Sequence, residues 1–278
     1  MIVYVDGAFV DEERAVVSAS DRGLLFGDAV FETGLLRNGG FFRLDQHLQR
    51  FAASAATLHL THPALASVDD IVRRLARLNA LANGNLRITL TRGVHAPCLI
   101  AAIRPIDPAW TERARRGWTI LTARTRRPSI ASTPAQLKAV GRTYALLARL
   151  EATAAGFDDA LLLTDHGIVS EGPAWNIFWR TGNALFTPAP DAGVLVGVTR
   201  SAILELAASA GFHVVEGLFP RADLDHADEI FATMTSLGIV SIRQLDSRAL
   251  PAATPAADAF QPRYWAVVDA ECAADRGA

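Results

Sequence analysis

Lysine is almost missing from these 278 residues: of 27 basic side chains, 26 are arginine and one, Lys138, is lysine. Cysteine is nearly as scarce. Cys98 and Cys272 are too few and too far apart for a disulfide framework, and no CxxC occurs, which fits a reducing cytoplasm. No run of about 18 apolar residues is present, so no transmembrane helix and no membrane partner is expected. The opening stretch MIVYVDGAFVDEERAVV has no basic region ahead of a long apolar core, so no signal peptide is expected. The histidines fall in no HExxH or other metal-ligand spacing, and neither GxGxxG nor GxxxxGK[ST] appears. A net charge of −2 and a pI near 6.4 leave no electrostatic footprint for nucleic acid. Zinc hydrolases, dinucleotide-fold enzymes and nucleic-acid binders lose their support on these grounds.

What remains is an ordinary globular composition, half hydrophobic and a fifth charged, long enough for two modest cores. Ile2–Val5 and Ala8–Val10 read as strands around an Asp6-Gly7 turn. Asp45 is placed to cap a helix whose Leu48, Phe51, Ala55 and Leu58 share a face. A second helix is expected over Val68–Leu81, with Ile71, Val72, Leu75 and Leu78 inward, stopped by Asn83-Gly84-Asn85. Strands follow at Leu86–Arg92 and Cys98–Arg104, then another at Trp118–Ala123. The Pro- and Ser/Thr-rich stretch from Pro128 to Pro134 reads as an exposed connector. The expected division is therefore a small α+β domain over 1–120, a connector over 121–133, and a larger domain over 134–278. In the latter, a helix from about Pro134 to Ala155 precedes closely spaced hairpins, a helix capped by Thr199, further strands, and a loop over Pro251–Ala259. Short strands mixed with few helices predict a twisted mixed sheet or pseudobarrel.

The single lysine sharpens the chemistry. Arginine stays protonated at any useful pH and cannot act as an amine nucleophile, whereas a desolvated lysine can form a Schiff base with a carbonyl. A chain that writes nearly every cation as arginine keeps lysine where that chemistry is required, or keeps it by codon chance on a helix surface. Composition alone leaves both readings open.

The surroundings of Lys138 narrow the choice. The ordered motifs Asp21-Arg22-Gly23, Phe26-Gly27-Asp28, Phe31-Glu32-Thr33, His47-Leu48-Gln49-Arg50, Gln136-Leu137-Lys138, Val169-Ser170-Glu171-Gly172, Asn176-Ile177-Phe178, Gly197-Val198-Thr199-Arg200 and Ala227-Asp228-Glu229-Ile230-Phe231 extend over some two hundred residues. Together they resemble the class IV aminotransferases, the fold-type-IV pyridoxal 5'-phosphate enzymes. That resemblance implies a two-domain α+β fold, a homodimer, and Lys138 as the catalytic residue joined to the cofactor aldehyde. Its freed amine would then move the proton between substrate and cofactor. It also implies Glu171 as the carboxylate facing the protonated pyridine nitrogen. Arg50, Val198, Thr199 and Thr235 become the phosphate contacts, with Val198 and Thr199 opening a helix whose N–H groups suit an anion. Asn176 is expected to support the Glu171 turn. Tyr144 is either a contact to the ring hydroxyl, as a tyrosine is in branched-chain members, or a packed helix aromatic.

The same resemblance places Phe26, Phe31, Arg92 and His95 on the substrate side, with an amino donor and a 2-oxo acid as partners. The strand Leu86-Arg87-Ile88-Thr89-Leu90-Thr91-Arg92-Gly93 lacks the Arg-Pro step of branched-chain members. Its Thr-Arg-Gly ending is similar to D-amino-acid aminotransferases and aminodeoxychorismate lyases. The Arg-x-His carboxylate trap of the D-amino-acid enzymes is replaced by Val94-His95-Ala96-Pro97. Stretches around Gly39–Arg50 and Gly193–Arg200 are similar to (R)-amine transaminases. The expectation is a transaminase for D-amino acids or (R)-amines. The alternatives are an aminodeoxychorismate lyase, a branched-chain aminotransferase, or a silent cofactor-binding relative.

Overall fold

Alternating apolar residues in the first hundred positions build an antiparallel sheet. Its elements are β1 (Ile2–Val5), β2 (Ala8–Asp11), α1 (Arg22–Phe26), β3 (Ala29–Arg37), β4 (Gly40–Phe42), α2 (Leu44–Thr57), α3 (Leu65–Leu78), β5 (Gly84–Thr91) and β6 (Cys98–Arg104). The sheet order is β2-β1-β6-β5-β3-β4, and α2 packs on β3 while α3 packs on β1 and β6. The core between them holds Leu48, Phe51, Val68, Val72, Leu75, Leu86, Ile88 and Leu90, as the helical and alternating spacings predict. Asp45 does not cap α2. The N-cap is Arg43 in the left-handed region, with Asp45 in the first turn. α3 ends earlier than expected, at Asn79 with Ala80 at φ +51°, so the stop precedes Asn83-Gly84-Asn85.

The larger sheet has eight strands and mixed direction. Its elements are α4 (Pro108–Arg115), β7 (Trp118–Arg126), α5 (Thr143–Ala154), β8 (Asp159–Leu163), β9 (Asn176–Thr181), β10 (Ala184–Pro188), α6 (Val198–Ser209), β11 (His213–Gly217), β12 (Glu229–Met234), β13 (Gly238–Leu245), β14 (Arg248–Ala249) and α7 (Pro255–Asp275). The order β11-β10-β9-β12-β13-β7-β8, with β14 beside β13, combines parallel pairs (β10–β11, β7–β13, β7–β8) with antiparallel ones. This is the expected mixed-sheet pseudobarrel, a half-barrel in the α+β class. Its core is strongly aromatic, with Phe178 and Phe231 stacked at 5.3 Å and Trp179 edge-on to Phe219 at 4.9 Å.

This computed structural model describes residues 1–276 and divides the chain into two units. One holds Met1–Ile106, Leu137–Gly141 and the chain end from Val267; the other holds Asp107–Gln136 and Arg142–Ala266. The boundary therefore falls after Ile106 rather than over 121–133, because residues 118–126 are a strand of the larger sheet. Two further expectations are corrected. Residues 134–142 are not helical, and α5 begins only at Thr143, because backbone groups of the 137–141 segment are spent on β3. The supposed loop over Pro251–Ala259 contains the start of α7. Pro255 suits a first helical position, and the buried Glu229 carboxylate accepts from the N–H groups of Ala256 and Ala257 at 2.9 and 2.8 Å. Among the described residues no helix is long and apolar enough to cross a membrane.

Candidate active site

Lys138 lies in an extended segment beside β3. The Phe31 N–H donates to its carbonyl at 3.0 Å, the Val140 N–H donates to Ala29 at 2.9 Å, and the Lys138 N–H donates to Ser54 Oγ at 3.2 Å. Glycine makes this approach possible: a Cβ on Gly27, already at φ +68°, would stand 2.9 Å from the Gly141 Cα. The lysine Nζ sits 4.8 Å from the Phe31 ring centroid, whose surroundings also include the Arg87 guanidinium at 4.1 Å.

Under this segment is a buried ionic cluster. Glu32, 1 % exposed, accepts from Arg50 Nε and Nη2 at 2.8 Å each, and His47 Nδ1 is 3.2 Å away. Burial alone would push the Glu32 carboxyl up. The His47 hydrogen bond, the Lys138 charge and the Arg50 guanidinium outweigh it and hold the carboxyl far below the usual range. Burial pushes the His47 imidazole down, and its Nε2 has no hydrogen-bond partner. A neutral ring donating from Nδ1 to Glu32 fits both observations. Arg50 is thus an oriented cation.

The larger unit builds a second cluster. Glu171, also buried, accepts from the Leu195 N–H at 2.9 Å and from Asn176 Nδ2 at 3.2 Å, both on Oε2, while Arg142 Nη2 is 3.5 Å from Oε1. Asn176 also donates to the Leu195 carbonyl at 2.9 Å, so it supports Glu171 as expected. Gln136 clamps the same loop from outside, donating to the Val194 carbonyl at 2.9 Å and accepting from the Val196 N–H at 3.0 Å. The loop leads into α6 through Gly197, which is the N-cap; Thr199 lies inside the helix and does not cap it. Val198 and Thr199 are buried in the first turn, where helix geometry leaves N–H groups without intrahelical acceptors. A Cβ on Gly197 would meet Asn176 Oδ1 at 2.3 Å. Thr233 on β12 buries a hydroxyl with no partner, and Thr235 is half-buried in the turn that follows.

The remaining expected residues separate. Arg92 has partners within its own unit: its Nε donates to Asp28 at 2.6 Å and its Nη2 to the Leu58 carbonyl at 2.7 Å, tying the end of β5 to the end of α2. His95 is exposed in the loop after Gly93. Phe26, 68 % exposed, ends α1 with Arg22 5.0 Å from its ring. The Tyr144 ring packs against the cluster of Ala123, Ala148 and Leu162, and its hydroxyl accepts from Arg142 Nε at 3.2 Å. Sequence reasoning gave no role to Glu32, His47, Gln136 or Arg142. A glutamate inside the apolar strand Ala-Val-Phe-Glu, together with His and Arg three apart on the next helix, was the legible signal for the first two. Nothing local marks Gln136 or Arg142.

One unit supplies a primary amine, Lys138, and the other a buried carboxylate, Glu171, that accepts from Leu195 and Asn176, a helix N-terminus at α6 and a buried threonine hydroxyl without a partner; each suits one part of a phosphorylated pyridine aldehyde. The residues present fit that group. Comparison with known proteins agrees. The amino-transferase class IV model matches residues 29–245. A Methanocaldococcus jannaschii protein, provisionally named a branched-chain-amino-acid aminotransferase, is 35% identical over 261 residues and 90% of each chain. A D-alanine aminotransferase from Listeria monocytogenes is 30% identical over 88% of each chain. Among solved structures, the branched-chain amino acid aminotransferase of Escherichia coli gives a TM-score of 0.91 at 26% identity, covering 96% of this chain and 94% of that one.

The chain belongs to the class IV aminotransferases. It is a pyridoxal-phosphate-dependent enzyme that exchanges an amino group between an amino donor and a 2-oxo acid.

Proposed function

We propose that the donor is an L-amino acid with an apolar, branched side chain and the acceptor a 2-oxo acid. The carrying observation is the loop after β5: the Arg-x-His charge that traps the carboxylate in D-amino-acid enzymes is replaced by Val94-His95-Ala96-Pro97, and the preceding Arg92 is engaged by Asp28 and the Leu58 carbonyl. The likeness to branched-chain aminotransferases supports the same reading.

Bound pyridoxal phosphate supplies an electron sink for the bond broken at the substrate α-carbon. Lys138 contributes the amine that attaches the cofactor and afterwards carries the α-proton at Nζ. Glu171, fixed by Leu195 and Asn176, presents its negative charge to the ring nitrogen. For the phosphate, one unit would contribute Arg50, held by Glu32, and the other the first turn of α6 with Thr199 and Thr235. Phe31 provides an apolar wall beside Lys138. A homodimer belongs to this proposal: Leu24, Leu25 and Phe26 on α1, and Leu146, Leu147 and Leu150 on α5, are all more than two-fifths exposed, and clustered exposed apolar side chains mark association surfaces. A cytoplasmic location fits the two free cysteines.

A second reading, a D-amino-acid or (R)-amine transaminase, is favoured by the Thr91-Arg92-Gly93 ending and the D-alanine relative. One experiment separates them: follow the cofactor absorbance as L-leucine, D-alanine or (R)-1-phenylethylamine is added to holoenzyme. Conversion by L-leucine alone supports the proposal. Conversion by D-alanine or the amine, with none by L-leucine, transfers it to the second reading.

A further inference from the structure

Arg142 is the residue closest to Glu171 that no role above explains. Its side chain is 15 % exposed, and its Nη2 stands 3.5 Å from Glu171 Oε1. Tyr144 fixes its direction, accepting from Arg142 Nε at 3.2 Å. The other Glu171 oxygen accepts from two neutral donors, the Leu195 N–H and Asn176 Nδ2. A full positive charge thus stands beside Oε1 of this buried carboxylate, and two dipoles donate to Oε2. A cation at this range lowers a carboxylate's proton affinity and offsets part of its attraction for any positive charge beyond it.

We propose that Arg142 is a charge-setting, positioning residue: it limits how strongly Glu171 holds a proton on the cofactor's ring nitrogen, and so sets the pH at which that nitrogen is protonated. The inference rests on the pairing of Glu171 with that nitrogen. A purely structural role makes a different prediction. Arg142 precedes the first residue of α5, so its loss would then lower thermal stability and leave the titration where it was.

The test is 15N NMR of holoenzyme loaded with ring-15N pyridoxal phosphate, titrated from about pH 5 to 10. In Arg142→Gln the midpoint for loss of the ring proton rises by about one pH unit or more, while Arg142→Lys stays near the wild type. Tyr144→Phe keeps the ring packing but releases Arg142, and moves the midpoint the same way by less; it serves if the glutamine variant does not fold. An unchanged midpoint in the variant that folds and binds cofactor overturns the inference, including the case where the nitrogen stays protonated throughout in both proteins. A Glu171→Gln holoenzyme whose ring nitrogen titrates like the wild type would instead refute the Glu171 assignment, and this inference with it.

Discussion

Replacing Gly197 with alanine tests how the α6 entrance is built. The new Cβ would lie 2.3 Å from Asn176 Oδ1, against about 3.4 Å for ordinary van der Waals contact, so the asparagine must retreat by about 1 Å. Retreat stretches two hydrogen bonds, the 3.2 Å bond to Glu171 and the 2.9 Å bond to the Leu195 carbonyl. A bond to a charged group contributes about 1.5–3 kcal/mol and a neutral one about 0.5–1.5. Losing both removes at least about 2 kcal/mol from the cofactor-holding arrangement, or about 30-fold in affinity. The assay is equilibrium titration of apoenzyme with pyridoxal phosphate, run as a cycle with Asn176→Ala. With the Asn176 side chain gone there is nothing for the methyl to strike, so the double variant should bind like Asn176→Ala alone. Wild-type affinity in Gly197→Ala, or penalties that simply add, would refute the reasoning.

Three further outcomes are expected. Lys138→Arg should keep its circular-dichroism spectrum and lose transamination by about 10²–10⁴-fold or more, since charge is retained and nucleophilicity is not. Glu32→Ala should cost about 3–5 kcal/mol in urea unfolding by stranding Arg50 in the interior, and should weaken cofactor binding as well. The Glu32 carboxyl is depressed in the fold, so its stabilisation is present above the unfolded value near 4.3 and drains away as pH falls below it. Glu32→Gln should therefore flatten the acid limb of the stability curve between about pH 5 and 2. Arg92→Leu should lower stability by about 0.5–1 kcal/mol, discounted for its partial exposure, with little change in KM for the donor; a large KM increase would place Arg92 at the substrate.

Much of this was legible in the sequence where local patterns are strong. The helix faces of α2 and α3 and the strand β6 follow from periodicity, and the family motifs carry Lys138 and Glu171. Failures occurred where distant atoms decide. The helix expected from Pro134 gives way to a segment whose backbone pairs with β3 more than a hundred residues away. α7 starts inside an Ala/Pro-rich stretch because Glu229, more than 25 residues earlier, accepts from its first N–H groups. Arg92 reads only as a residue of the substrate side, and its contacts to Asp28 and the Leu58 carbonyl come from residues more than thirty positions away. Arg142 is one arginine among 26, distinguished only by the carboxylate beside it.

The most direct measurement of the central claim is borohydride reduction of the holoenzyme followed by peptide mapping. The account predicts a single pyridoxyl-phosphate adduct, on the peptide containing Lys138, and none in Lys138→Arg. An adduct elsewhere, or unreduced cofactor released intact from an active enzyme, would contradict it.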